Sequence, residues 1–449
     1  MTEARPTGTS PGTTAAPSAP VPGLSRAVAV LCATEIVSWG VLFYAFPVLA
    51  SSISANEGWP MVWLVAGFTL ALVVSGGCGV WVGRRIDQVG PRTVMTAGSV
   101  LAVASVMALG AAPTLLWFFA AWVLAGVAMS ATLYAPAFAA VTGWSGDDAV
   151  RRVRSLTAIT LVAGLASTVF APLTALLLSD LGWRGTYLTL AGVLVVTVPL
   201  HAWGLRPRWT STRTRHTMGD NKGGSPVRPD DFDARAFTLL VVAMALAGFA
   251  VYAVVINLVP LLTENGLTTT QAATALGVGG VGQVVGRLFY GPVLSRLGPT
   301  ARSVTTIAGV VATTGALAVW QTPLVWVCVL TFASGTVRGI FTLIQATAVV
   351  DRWGVGDIGH RNGILTGAIT AVSAFAPWVG ALLAALLGSY DVTFALLAGL
   401  AAAAAWLISR ADRHAGRQGN HVGSREDPHD DGLDDPHEDP LDDVEASAR

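Results

Sequence analysis

Apolar residues in this chain fill long runs broken by short polar stretches, without the alternation of a half-buried strand or the narrow stripe of a surface helix. The runs are about 17 to 27 residues long, the length at which a helix rising 1.5 Å per residue crosses a roughly 30 Å hydrocarbon core. Twelve are expected, near 27–50, 61–82, 93–112, 115–140, 155–178, 187–203, 237–262, 270–293, 304–320, 324–350, 363–387 and 392–408. Short breaks at Pro113 and at Gln321-Thr-Pro323 divide the third from the fourth and the ninth from the tenth. Residues 1–23 are rich in Pro, Thr, Ser and Ala, lack periodicity, and are expected to be a disordered tail. No cleavable leader is expected, because the first apolar run begins near Ala27 and is long enough to span. Residues 205–235 turn to Arg, Thr, Ser, Gly, Pro and Asp, the composition of a linker, and 410–449 read as a disordered acidic tail. The organisation expected is an all-α membrane protein with six-helix halves at 24–204 and 236–409.

Composition agrees. Hydrophobic residues make up 53% of the 449, charged residues 12%, and mean hydropathy is +0.60, against about 25% charged residues in soluble domains. The formal net charge is zero, so neither nucleic acid nor an acidic partner is implied. With both termini cytoplasmic, every one of the 27 Lys and Arg residues except Arg184 and Arg338 falls on the inner side or at its interface, Arg287 reaching it from the end of the eighth run. Such segregation fits an even number of crossings in a cell membrane. Cys32, Cys78 and Cys328 all lie in apolar runs and read as packing residues.

Between the second and third runs lies a tight basic turn, Gly79-Val-Trp-Val-Gly83-Arg-Arg-Ile-Asp87-Gln-Val-Gly90-Pro-Arg92. Gly83 is suited to close helix approach, Gly90 and Pro91 to the reversal, and Asp87 to a helix N-terminus. A weaker copy, Gly291-Pro-Val-Leu-Ser-Arg296-Leu-Gly298-Pro, follows the eighth run. Ala171-Pro172 in the fifth run is likewise answered by Ala376-Pro377 in the eleventh. Shared order at similar offsets indicates a duplicated chain.

The Gly-x-x-x-Asp-x-x-Gly-x-Arg pattern resembles the signature loop of the major facilitator superfamily of secondary transporters. Gln88 stands where that pattern usually has Arg, and Ser295 where the second copy usually has Asp. Glu57-Gly-Trp-Pro60, Gly182-Trp-Arg184, Leu262-Thr-Glu-Asn-Gly266 and Gly286-Arg287-Leu resemble the monocarboxylate and oxalate–formate branch. The resemblance implies a monomeric carrier in a lipid bilayer that moves a small organic anion by alternating access. It also implies a conformational gate at Gly83, Asp87, Gly90 and Arg92, echoed at Gly291, Arg296 and Gly298. Drug efflux is the second reading, although Ala171-Pro172-Leu-Thr-Ala-Leu lacks the Gly-Pro-x-x-Gly-Gly element usual in antiporters of that branch. A receptor that kept the fold and lost transport is a third.

Charges inside the spans are costly and mark function by default. Glu35 in the first run and Arg338 in the tenth are the two such charges, and no His or Lys is expected deep in a span. Arg338 is suited to bidentate carboxylate binding and Glu35 to proton coupling; a structural ion pair between them is the alternative. Gln283, Asn257, Tyr134 and Gln345 are expected to line the substrate site, with Tyr44 and Tyr252 beside them, or else to serve as helix-packing polar groups. Gly277-Val-Gly-Gly-Val-Gly282 lies in an apolar run and reads as close helix packing, and His429 and His437 in the acidic tail read as solvated. No nucleophile–base pair, metal box or cofactor motif is present, which speaks against an enzyme.

Overall fold

The computed structural model describes residues 22–146, 148–209, 234–290, 296–353 and 358–423. The expected N-terminal tail up to residue 21, the linker over 210–233 and the acidic tail from 424 lie outside the described residues. All regular structure among the described residues is helical, and eleven helices are long and apolar enough to cross a membrane. The longest, over 150–204, has 55 residues, about 80 Å of helix and far more than one hydrocarbon thickness. Within it Gly182 takes φ 64° and ψ 176°. Trp144 before it and Trp209 after it have ring centroids 6.4 Å apart, while Arg184 in its middle meets Glu57 and the carbonyl of Ala112 at the far end of the molecule. The segment runs to that end and folds back.

The N-terminal segment runs through α1 (Leu24–Trp39), a π-helical turn (Gly40–Tyr44), α2 (Ala45–Glu57), α3 (Met61–Val89), α4 (Pro91–Gly110), α5 (Leu115–Thr132), α6 (Tyr134–Ser145), α7 (Ala149–Ala163), α8 (Ala166–Val195) and α9 (Thr197–Gly204). The C-terminal segment follows with α10 (Ala234–Glu264), α11 (Thr269–Phe289), α12 (Pro299–Val319), α13 (Leu324–Thr347), α14 (Val350–Trp353), α15 (Ile358–Ala374), α16 (Ala376–Leu387) and α17 (Tyr390–Gly423). Thr114 caps α5 through its hydroxyl, and Thr268 with Gln271 forms a capping box on α11. The last helix continues beyond the expected end at 409, since Ser409-Arg-Ala-Asp contains no helix breaker.

Several expected runs prove discontinuous, the sixth at Val196 and the eleventh at Phe375 as well as the three that follow. Pro47 has no N–H for the Phe43 carbonyl, and the first run widens into its π turn just before it. Pro136 withholds the same bond from Thr132, and the fourth run breaks at Leu133, which is extended at φ −89°, ψ −164°. Gly164 and Leu165 separate α7 from α8.

Packing is uneven along the membrane normal. At the face carrying Glu57, one apolar core joins both segments, with Phe46, Leu49 and Phe68 from the first and Val259, Leu262 and Phe394 from the second. Toward the Trp144 face that core divides. One cluster holds Leu31, Met95 and Trp144, another holds Leu240, Phe341 and Ile408, and neither draws on both segments. The two segments are therefore closed at the Glu57 face and parted at the other.

Each segment is stapled at the Glu57 face by the first charged residue of its last crossing. Arg184 pairs with Glu57 at the end of α2 and donates 2.7 Å to the Ala112 carbonyl beyond α4. In the second segment Asp391 Oδ1 accepts from Asn265 beyond α10 at 2.8 Å and from Gln321 beyond α12 at 3.0 Å. The clamp is the same and the sign of its charge is inverted.

The glycine run of α11 packs on α13. A Cβ on Gly282 would overlap the Phe332 carbonyl, and one on Gly339 would overlap that of Gln283, the close approach that small residues allow between spanning helices. Gly282→Ala should therefore lower the melting temperature of the solubilised protein at an overpacking cost of about 1–3 kcal/mol. Gly399→Ala, at a position with open space around it, should leave melting unchanged or raise it.

Candidate functional site

A cavity of about 300 Å³ lies between the segments where the common core ends. On the N-terminal side it is lined by the helix breaks: Trp39 precedes the π turn and Tyr44 ends it, Tyr134 follows the break at Leu133, and Ala163 and Gly164 mark the end of α7. On the C-terminal side three uninterrupted helices contribute Tyr252, Gln283, Arg287 and Arg338.

Arg338 is held by Gln283, whose Oε1 accepts from a terminal guanidinium nitrogen at 2.9 Å, while its Nε has no partner. Arg287 donates to the Thr160 carbonyl across the cavity and, at 3.4 Å, to Thr342 Oγ1, which is itself fixed to the Gly339 carbonyl. The ion pairs among the described residues are Arg151–Asp148, Arg184–Glu57 and Arg302–Asp351, so neither cavity arginine has a carboxylate within 4 Å. Tyr252 lies within electrostatic reach of both guanidiniums, and Tyr134 faces Arg287. No lining residue is acidic.

The structure brings Arg338, Gln283, Tyr134, Tyr44 and Tyr252 to one cavity and places Asn257, Gln345 and Glu35 outside its lining. Asn257 lies outside the cavity, donating to the Ala253 and Pro377 carbonyls at 2.9 and 3.3 Å, because α16 packs over that face of α10. Gln345 also points away, toward Gly248 of α10, and its amide nitrogen is buried without a partner. Glu35 is fully buried and makes no ion pair with Arg338. It sits one layer behind the cavity, within electrostatic reach of Tyr134 and beside the Trp39 indole, with neither oxygen in a well-formed hydrogen bond.

One residue was misread. Arg287 was expected at the membrane interface, yet α11 turns it into the cavity; its place one helical turn after Gln283 was the available signal. His201, in the last turn of α9, is fully buried within the protein. Thr34 Oγ1 donates to the Val30 carbonyl at 3.0 Å, so it accepts from His201 Nε2 at 2.9 Å, and Nδ1 accepts from Ser99 at 2.7 Å. This chain ties α1, beside Glu35, to α4 and α9.

At the Trp144 face, Gly90 turns the chain at φ 83° and ψ 162°. The Trp209 indole fills the notch it shares with Gly143 and donates to the Asp87 carbonyl at 3.3 Å. Asp87 lies in the last turn of α3, at the C-terminal end of its own helix. Gly83 has open space where a side chain would stand, so it mediates no close helix contact, and Arg92 is exposed at the start of α4. Arg296 and Gly298 are exposed just before α12, and Gly291 lies outside the described residues.

The sequence profile of the Major Facilitator Superfamily matches residues 28–229 and 238–428. The chain belongs to this superfamily. Among curated relatives, monocarboxylate transporter 13 of Rattus norvegicus is 26% identical over 380 residues, covering 83% of this chain and 82% of the relative. That of Bos taurus is 28% identical over 382 residues, with the same coverage. Both support the monocarboxylate branch. Among solved structures, a bacterial homologue of the human lysosomal transporter Spinster, inward-facing and occupied, superposes with TM-score 0.65 at 13% identity, covering 88% of this chain and 98% of that one. The nucleoside transporter NupG gives 0.66 at 12% identity, with 87% and 99% covered. This superfamily chain is thus a multi-pass membrane transporter, and its family is not a class of enzymes.

Since Asn257 and Gln345 lie outside the cavity, Gln345→Leu should change cargo affinity less than about twofold and leave stability equal or higher, as it removes an unpaired buried amide. Asn257→Leu should lower the melting temperature without a comparable loss of affinity. Equilibrium binding and thermal melting on the same preparations check both.

Proposed function

We propose that the protein is a secondary active transporter of small monocarboxylates, working by alternating access across the cell membrane and coupled to protons through Glu35. The observation that carries this reading is the pair of guanidiniums, Arg287 and Arg338, facing one cavity without a carboxylate partner. A guanidinium stays charged in a dry site and binds a carboxylate through two parallel bonds. With Glu35 ionised, the surroundings keep one positive charge in excess, which one carboxylate balances. If a proton on Glu35 enters together with the carboxylate, the two added charges cancel and the loaded site keeps the net charge of the empty one.

Two six-helix halves with twelve crossings supply the moving parts. The fold-back at Gly182 supports counting the 55-residue segment as two spans. Basic residues such as Arg84, Arg85 and Arg92 at the Trp144 face support a cytoplasmic location for that face and both termini. On this orientation the parted cores describe an inward-facing state, and the turn at Asp87 and Gly90 with Arg296 and Gly298 forms the gate.

The test is counterflow and pH-driven uptake of radiolabelled monocarboxylates in proteoliposomes. Arg338→Lys keeps the charge and loses the fork, and should weaken cargo binding by roughly tenfold or more. Gln283→Glu would pair with Arg338 and should remove uptake while raising stability. Glu35→Gln should abolish pH-driven accumulation and retain exchange, which needs no net proton transfer. Full pH-driven uptake by Glu35→Gln would refute the coupling role. Asp87→Asn should slow exchange with affinity little changed. Cysteines placed at Ser211 and Ser424 should be shielded from impermeant thiol reagents in intact cells, and one at Ser52 should react; the reverse pattern would overturn the orientation.

A further inference from the structure

We propose that the cargo is a carboxylate carried on a flat aromatic ring, an aryl monocarboxylate larger than the short aliphatic acids. This rests on the anion reading above and adds to it the other wall of the cavity. Opposite the two arginines the N-terminal segment presents a continuous set of rings. Tyr134 and Phe138 are stacked at 5.2 Å with 18° between planes, Trp39 leans on Tyr134 at 4.9 Å and 46°, and Phe43 meets Trp39 edge-on at 5.3 Å. All four line the cavity. Inorganic anions and acids of two or three carbons would leave this wall uncovered, whereas a planar ring finds faces and edges in the offset and T-shaped arrangements that aromatic pairs favour. A volume of about 300 Å³ is at the small end of organic ligand sites and admits a single ring with its carboxylate.

The wall also explains why ring size would matter for transport and not only for binding. The guanidiniums belong to α11 and α13, and the rings to α1, the π turn and α6. A short acid held by Arg287 and Arg338 touches one segment. A ring-bearing acid touches both, and its binding energy favours the state in which the segments close around it. Tyr134, which faces Arg287, sits where the carboxylate end of such a cargo gives way to its ring.

The experiment uses the full-length protein in proteoliposomes loaded with benzoate. Counterflow of radiolabelled benzoate is competed by unlabelled benzoate, cyclohexanecarboxylate, propionate and benzamide, and direct exchange of radiolabelled propionate is measured alongside. Benzoate should compete roughly two- to tenfold better than cyclohexanecarboxylate, which matches it in size but not in aromaticity. It should compete roughly tenfold or more better than propionate, and neutral benzamide should not compete. In Phe138→Leu the preference for benzoate over cyclohexanecarboxylate should fall toward one, and thermal melting of the solubilised variant near the wild-type temperature shows that it folds. Equal or better competition by propionate or cyclohexanecarboxylate, with exchange still dependent on Arg338, would overturn the aromatic cargo and leave the carboxylate transporter standing. Absence of exchange for every carboxylate would overturn both.

Discussion

No water reaches the hydrocarbon core, so every backbone N–H and C=O there needs a partner within the protein. Most of this chain meets that demand as unbroken helix. Three of its interruptions, the π turn Gly40–Tyr44, Leu133 and Gly164, lie beside the cavity between the segments. The breaks and the cavity share a cause. Prolines at 47 and 136 and the glycine at 164 interrupt the hydrogen-bond ladder, and such interruptions persist only where neighbouring helices or a polar cavity shelter them. The same interruptions aim Trp39 and Tyr134 inward.

Against that irregular wall stands a rigid one. The glycines of α11 let α13 approach until backbone meets backbone, and the contact fixes Gln283 beside Arg338 and Thr342 beside Arg287. Two cations with long, flexible side chains are thus held at defined positions without any carboxylate to neutralise them. A carboxylate there would strengthen the fold and neutralise the guanidiniums on which the proposed anion site depends.

Closure at one face and parting at the other follow from how apolar surface is distributed. The Glu57 face carries a core common to both segments, and the two charge-inverted staples there tie ends within each segment, so the segments can move as units. At the Trp144 face each segment has its own core. There the contact of Trp209 with Gly90 and Asp87 fastens the start of the linker to the turn that the sequence singles out.

Much was legible in the sequence, because bilayer thickness fixes span length and the cost of moving charge across it fixes where arginines go. The apolar runs, their punctuation at Pro113 and Pro323, the turn at Gly90 and the in-span charges Glu35 and Arg338 all stand in the linear order of residues. What that order could not decide is which way a side chain faces on a helix buried on several sides, since the apolar pattern then has no distinct stripe. Arg287 therefore read as an interfacial anchor although it lines the cavity, and the sequence left Gln345 and Asn257 open between cavity lining and helix packing, where the structure has them packed between helices. Only tertiary packing chose among those faces. The glycine contact of α11 with α13 and the helix breaks opposite decided which polar groups meet in the cavity and which are spent holding helices together.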